Sequence, residues 1–504
     1  MKKIYFLILF LLVSGSVSAT TYYVTPNGNA SNSGSSFATA MNFKTALGKA
    51  VAGDVVLLQA GTYAIAYTAG AKNTISFTKS GTSANPIKVE CVNNGRAIID
   101  FSFPDQEWVQ DSYGFSITGS YWSFKGIAIT RAGYQGAYVK GSNTTFENCA
   151  FYNNRNTGLE INEGGSNTTV RNCDAYRNYD PKKKGSMADG FGPKQTQGPG
   201  NKFINCRAWE NSDDGYDCFD STQKVTFENC WAIRNGVDVW NYGGFTGNGN
   251  GFKVGGNSVP ADNVLTRCVA IGHPKKGFDQ NNNTGSITVY NCTGYGNNIN
   301  FGFGNPVQSG KKHIFKNNIS LSGTISISNA TQQNNSWNLS VTVNTSDFTS
   351  TSTSLSIGAR QSNGDLPDNL PFKLVQGSDL IDKGTNVSLS YSGSNPDLGY
   401  SESNYSTSKK TNTEIVTESI VDAYSGSTFN YYPNPVKNTL TIELDNEMAK
   451  GSVIQLFDLS GKLIIDKTVN GQIQNLNLEN LPSGIYIFIL TTAGNKIIKR
   501  IIKS

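Results

Sequence analysis

Residues Asn211 to Asp220 read NSDDGYDCFD, with four carboxylates in ten positions. Asp213 and Asp214 are adjacent, and Asp217 follows just beyond Gly215. A second Asp-Gly pair lies upstream at Asp189 (MADGFGPK), and an isolated amine lies downstream at Lys253 (GNGFKVGG). Carboxylates held a few Å apart repel one another and raise each other's pKa, so a close group needs a compensating cation. A hard divalent ion takes roughly six to eight oxygen ligands, and an all-carboxylate set suits calcium. Alone, DDG is also an ordinary Asx-type turn. The chemistry therefore depends on whether the fold brings these five side chains to one place.

A repeat does so. From residue 143 the chain returns to one phrase: TTFENCAFYNN, TTVRNCDAYRN, NKFINCRAWEN, VTFENCWAIRN, NVLTRCVAIGH and ITVYNCTGYGN. These align Cys149, Cys173, Cys206, Cys230, Cys268 and Cys292, with three of the five intervals equal to 24 residues. A second phrase aligns Gly158, Gly190, Gly215, Gly251, Gly277 and Gly302. Each unit is too short to bury a face alone, so successive units must stack. Short β-branched and aromatic runs broken by Asn and Gly give strands and bends. The expected fold class is all-β, a right-handed parallel β-helix with equivalent residues of adjacent coils roughly 4.8 Å apart. The six cysteines form an inward column beside a column of Asn. They are read as buried thiols with a structural role, some disulfide pairing being the alternative that export would permit.

Coil register then assembles the cluster. Thr157, Asp189, Asp214, Asn250 and Lys276 precede the Gly column, and Leu159, Phe191, Tyr216, Phe252, Phe278 and Phe303 follow it as an inward apolar column. The next position faces outward and holds Glu160, Gly192, Asp217, Lys253 and Asp279. Asp189 and Asp214 become neighbours on adjacent coils, with Asp213 beside them, and Lys253 sits one coil on from Asp217. One lysine does not balance four aspartates, which favours a bound calcium ion. The flanks of Lys253 are small residues that leave this face open. Two units carry long insertions between the Cys and Gly columns, and these bring Pro181 to Lys184 and Tyr242 to Phe245 beside Asp189 and Lys253 as expected groove walls.

At this point MADGFGPK, NSDDGYDCFD and GNGFKVGG resemble polysaccharide lyase family 9, the pectate-lyase-like parallel β-helix enzymes. The likeness spans roughly residues 20 to 403, including the YYVTPNGN opening, the AGDVVLLQAGTY turn and the LPFKLVQGSDLIDKG close. The resemblance implies calcium held by Asp189, Asp213, Asp214 and Asp217, with Lys253 as the base that abstracts a proton. The expected activity is calcium-dependent β-elimination of polygalacturonate or pectate, an acidic pectic polymer of the plant cell wall. Lys194 and Lys276 are candidate contacts for substrate carboxylates, as are Lys182, Lys183 and Lys184. The alternatives are a rhamnogalacturonan lyase of the same family and a non-catalytic, calcium-containing sugar-binding β-helix. Hydrolysis of the polygalacturonase type is disfavoured, because Gly272-His273-Pro274 lacks the surrounding motif of those enzymes.

Composition sets the remaining bounds. Charged residues make up 16%, Gly numbers 53, and the net charge is +5, mild enough that nucleic acid is not an expected partner. Only His273 and His313 are present, which disfavours His-rich zinc sites and a His-centred triad. MKKIYFLILFLLVSGSVSA has a basic start, an apolar run and a small-residue end, the pattern of a signal peptide over 1–19. No later apolar run suits a membrane span. A secreted or cell-surface monomer is expected. SFATAMNFKTALGKAVAGD has helical spacing and would cover the open end of the stack. The β-helix is expected over 20–403, a Ser/Thr-rich linker over 404–428, and a small β-sandwich over 429–504. The YPNPV, DLSGK and LPSGIY motifs and the basic end of that last segment resemble the C-terminal sorting domain of type IX secretion. That resemblance implies export machinery as a partner; an accessory sugar-binding domain is the alternative.

Overall fold

The structure, a computed structural model, describes residues 19–405, 430–444, 452–458, 463–491 and 496–504. The expected signal peptide and nearly all of the expected linker lie outside them. The chain divides into two compact units, 1–408 and 409–504.

The first unit is a parallel β-helix of three sheets. Sheet A has 12 strands, from Thr21–Val24 to Ala330–Gln333; sheet B has 10, from Gly61–Ala64 to Ile319–Leu321; sheet C has 10, from Ile75–Phe77 to Thr324–Ile327. Each of the ten complete coils contributes one strand to each sheet, and sheet A has one additional strand at either end. The corners explain the composition. Asn148, Asn172, Asn205, Asn229, Asn291 and Asn317 all have φ of 51–61°, the left-handed region that Asn tolerates better than most residues. At the next corner a buried ladder runs Asn154, Asn178, Asn211, Asn235, with each amide donating to the next side-chain oxygen at 2.8–3.0 Å. His273 takes the following rung and Asn297 the one after.

The Gly column has a steric cause. A Cβ on Gly190 would lie 2.7 Å from the Gly215 carbonyl oxygen and 2.9 Å from the Asn211 amide, and Gly215 meets its neighbours just as closely. Gly thus lets each coil settle on the next. The apolar column beside it is a stack of rings, with Phe191, Tyr216, Phe252, Phe278 and Phe301 at successive centroid separations of 5.3, 4.5, 5.1 and 4.9 Å. Phe301, not the expected Phe303, faces Phe278, and Gly302 pairs with Asp279. The strand Ile299–Phe303 starts two residues earlier than the Gly alignment implied, and its register shifts against the next strand between Ile299 and Phe301. All eight cysteines are free and buried.

The helix Phe43–Lys49, capped by the Asn42 side chain on the Thr45 amide, buries Phe43 and Ala46 against the first coils. Beyond residue 340 the chain returns along the outer face of sheet B. There Phe348, Leu370, Phe372, Leu380 and Tyr400 bury Trp231, Ile233, Val269 and Ile271 in a second core. Arg360 anchors this segment on Asp174, which also binds Arg207. The second unit has two antiparallel sheets, of three and four strands, around a separate core that includes Leu440, Ile454, Phe488 and Leu490.

Candidate active site

The strand pairings fix the acidic column. Phe191 pairs with Tyr216, and Asp217 pairs with Lys253. The Gly190 amide donates to the Asp214 carbonyl, and the Gly215 amide to that of Asn250. Carboxylate oxygens of Asp189, Asp214 and Asp217 lie within 4.8 Å of one another, all buried. The Lys253 Nζ stands 3.1 Å from Asp214 Oδ2 and 3.5 Å from Asp217 Oδ1. Its side chain stays partly exposed, so the amine faces both the carboxylates and the open side of sheet C.

Asp213 adjoins the three but is engaged differently. Its Oδ2 accepts the Met187 amide at 2.7 Å and its Oδ1 the Asn248 amide at 2.6 Å. Those residues end the two inserted loops, so Asp213 fastens both walls to the coil. The loops also bind each other, through Thr246 to the carbonyl of Lys183. Lys182 extends from the first loop, with its Nζ 4.2 Å over the Trp108 ring.

Lys194 departs from its expected role. It is buried, with Nζ 2.8 Å from Asp189 Oδ2, 3.6 Å from Asp217 Oδ2 and 3.9 Å from Glu160 Oε2. It is a second internal cation of the cluster, not a side chain presented to a polymer. The sequence signal was Gly192, which leaves a gap in the outward column: a Cβ there would lie 3.1 Å from Lys194 Cε. Glu160, seen in that column but not assigned to the site, belongs to the same group. Lys276 pairs with Asp279 at 2.8 Å and keeps about a third of its side chain exposed (31%).

Electrostatics follow from burial and crowding. Burial, reinforced by Asp189, pushes Asp213 up to about 6. Asp214 is raised well above the carboxylate range by burial and by its three aspartate neighbours, against the pull of Lys253. Burial and Asp189 raise Asp217. Asp189 alone is lowered, because Lys194 and Lys253 outweigh its burial. Asp217 and Asp214 hold the Lys253 amine above its ordinary value even though burial opposes them. Two features of this cluster fit a hard cation. Its donors are all carboxylate oxygens. Asp214 Oδ2 is fully buried and has no hydrogen-bond partner, its contact with Lys253 being an ion pair without hydrogen-bond alignment.

Residues 22–336 match a family model described as Pel9A-like, right handed beta helix region, and residues 430–504 match one described as Secretion system C-terminal sorting domain. Pectate lyase L of Dickeya dadantii (strain 3937) is 59% identical over 394 residues, covering 78% of this chain and 93% of that protein. Among solved structures, that of pectate lyase Pel9A aligns with a TM-score of 0.75 at 59% identity, covering 77% of this chain and 97% of the other. A rhamnogalacturonan lyase structure aligns with a TM-score of 0.60 at 29% identity, covering 69% and 95%.

Proposed function

Because the chain belongs to the Pel9A-like, right-handed β-helix family, we propose that it is a polysaccharide lyase that cleaves pectate by β-elimination, with Lys253 as the base. The observation that carries this reading is the position of Lys253. Its amine sits at the open edge of a buried aspartate cluster, which a simple surface ion pair would not need. Asp189, Asp214 and Asp217 would hold a calcium ion, with Asp213 beside them. When bound, the ion supplies positive charge that offsets these carboxylates and attracts the carboxylate of a uronic acid.

The residues of the chain divide the remaining tasks. A lysine removes a proton only as the neutral amine, and the aspartates around Lys253 favour the ammonium. Less negative charge there therefore makes the base available, and alkaline pH does the same. The neutral Nζ takes the C5 proton of the sugar. The electrons left on C5 form a C4–C5 double bond as the C4–O bond breaks; the departing oxygen takes a proton from water to end as a hydroxyl, and the Lys253 ammonium returns its proton to the solvent. The inserted loops, fastened at Asp213, form the sides along which the polymer lies. The C-terminal domain directs export, giving a secreted or surface-bound enzyme.

A panel of pectic polymers followed at the ultraviolet band of the unsaturated product tests the proposal, with and without chelator. Demethylated homogalacturonan should be cut and chelator should stop the reaction. A preference for the rhamnogalacturonan backbone would select the activity named for the 29%-identical neighbour. Products without the ultraviolet band would end the lyase reading.

A further inference from the structure

Lys194 is spent on nothing in the reaction above, yet it lies deep in the cluster. Its ammonium touches three carboxylates: Asp189 at 2.8 Å, Asp217 at 3.6 Å and Glu160 at 3.9 Å. A buried charge is costly unless it is paired and hydrogen-bonded, and each partner here is held in place. Asp189 Oδ2 also accepts the Thr157 hydroxyl at 3.1 Å, and Asp189 Oδ1 accepts the Asp214 amide at 3.2 Å. Glu160 Oε2 accepts from Gln135 Nε2 at 2.9 Å, and Oε1 from Asn162 Nδ2 at 3.0 Å. Gly192 leaves the space through which the aliphatic part of Lys194 passes. The pocket is built around a positive charge at this point.

The cluster therefore has two halves that share Asp189 and Asp217. One half, completed by Asp214, whose buried Oδ2 accepts no hydrogen bond and has only the Lys253 ammonium beside it, opens toward Lys253. The other, completed by Glu160, is filled by Lys194. We propose that Lys194 is a resident cation standing where a second divalent ion would otherwise bind, so that the cluster takes one calcium ion and keeps Asp189 aimed at it. Lys194 is on this account a positioning and stoichiometry-setting residue. The inference rests on the metal reading above.

Calcium titration of the metal-stripped full chain by isothermal calorimetry tests it. In Lys194→Met the number of calcium ions bound per chain should rise by one over wild type, whereas Lys194→Arg should match wild type. Asp214→Asn should lose one ion from the wild-type count. If Asp214→Asn leaves the wild-type count unchanged, the metal reading itself fails. If Asp214→Asn loses an ion but Lys194→Met keeps the wild-type stoichiometry, Lys194 is only a structural ion pair and this inference is overturned. Thermal melting in chelator checks folding. Should Lys194→Met not fold without calcium, Lys194→Gln, which keeps a hydrogen-bond donor, takes its place. A folded Lys194→Gln without the additional ion would likewise overturn the proposal.

Discussion

At the scale of single residues, Lys253 and His273 show how one neighbour decides a group's chemistry. If Lys253 is the base, Lys253→Ala should lower kcat by about 10²–10⁴, the usual contribution of general-base catalysis, without lowering calcium affinity. A variant that loses calcium and turnover together would instead make Lys253 a structural partner of Asp217. His273 has a different task. As a rung in the Asn ladder it accepts from Asn235 Nδ2 through Nε2 and donates to Asn297 Oδ1 through Nδ1, and only the neutral ring does both. Burial pushes its pKa down to about 4 from the ordinary value near 6.5, although the Asn297 bond opposes the shift. For a base with a lowered folded pKa, the stabilisation is complete above the unfolded value and is lost as pH falls through the folded one. Below about 6.5 the unfolded chain gains a proton that the folded chain refuses until about 4. His273→Asn restores the repeat residue and removes the titration. Its melting temperature relative to wild type should rise steadily between pH 7 and pH 4; a difference independent of pH would show that the ring does not titrate on unfolding.

Secondary-structure elements carry these groups into place, and here parts of the fold and site were legible while others were not. The Cys and Gly columns were readable because each coil repeats one steric demand at the same position, and the aspartate neighbours followed from that register. Phe301 was missed because the repeat phrase survives at Gly302 while the strand begins earlier, so letter alignment and backbone register part. Lys194 was misassigned because its chain folds back over Gly192, a reach that strand alternation does not encode. The cover on sheet B was not visible either, since residues 341 to 400 make their contacts at long range and without periodicity. The ring stack offers a test at this scale. Phe252 is fully buried between Tyr216 and Phe278 and directly precedes Lys253. Phe252→Ala should cost about 3–5 kcal/mol, the usual cost of emptying a phenylalanine site, read from denaturant unfolding. Phe252→Leu, which keeps most of the volume, should recover much of that stability. If the stack also aims the amine, kcat should recover with it; full stability with kcat still depressed would place the aiming elsewhere.

At the scale of the whole molecule, the two units have separate cores and different architectures. The first carries its cover with it: Arg360 on Asp174, the apolar return along sheet B, and Tyr400, whose hydroxyl donates to the Pro371 carbonyl at 2.9 Å. These contacts close the β-helix before residue 405, and the second unit has a core cluster of its own. Asp174 sits below the ordinary carboxylate range because Arg360 and Arg207 overcome its burial, so the clamp keeps its charge to lower pH than an unpaired carboxylate would. The carboxylates and lysines named in the cluster all belong to the first unit. A chain ending at residue 405 should therefore keep the kcat/KM of the full chain on soluble pectate. In calorimetry the full chain should melt in two transitions, one of which coincides with that of the shortened chain. The same logic gives Arg360→Met an effect on the first transition alone. Removing one partner of a buried ion pair costs up to about 3–5 kcal/mol, and the second arginine keeps part of it. If deleting the C-terminal unit instead lowered kcat/KM on a soluble polymer, that unit would have to contribute to substrate binding, and an accessory sugar-binding role would stand beside sorting.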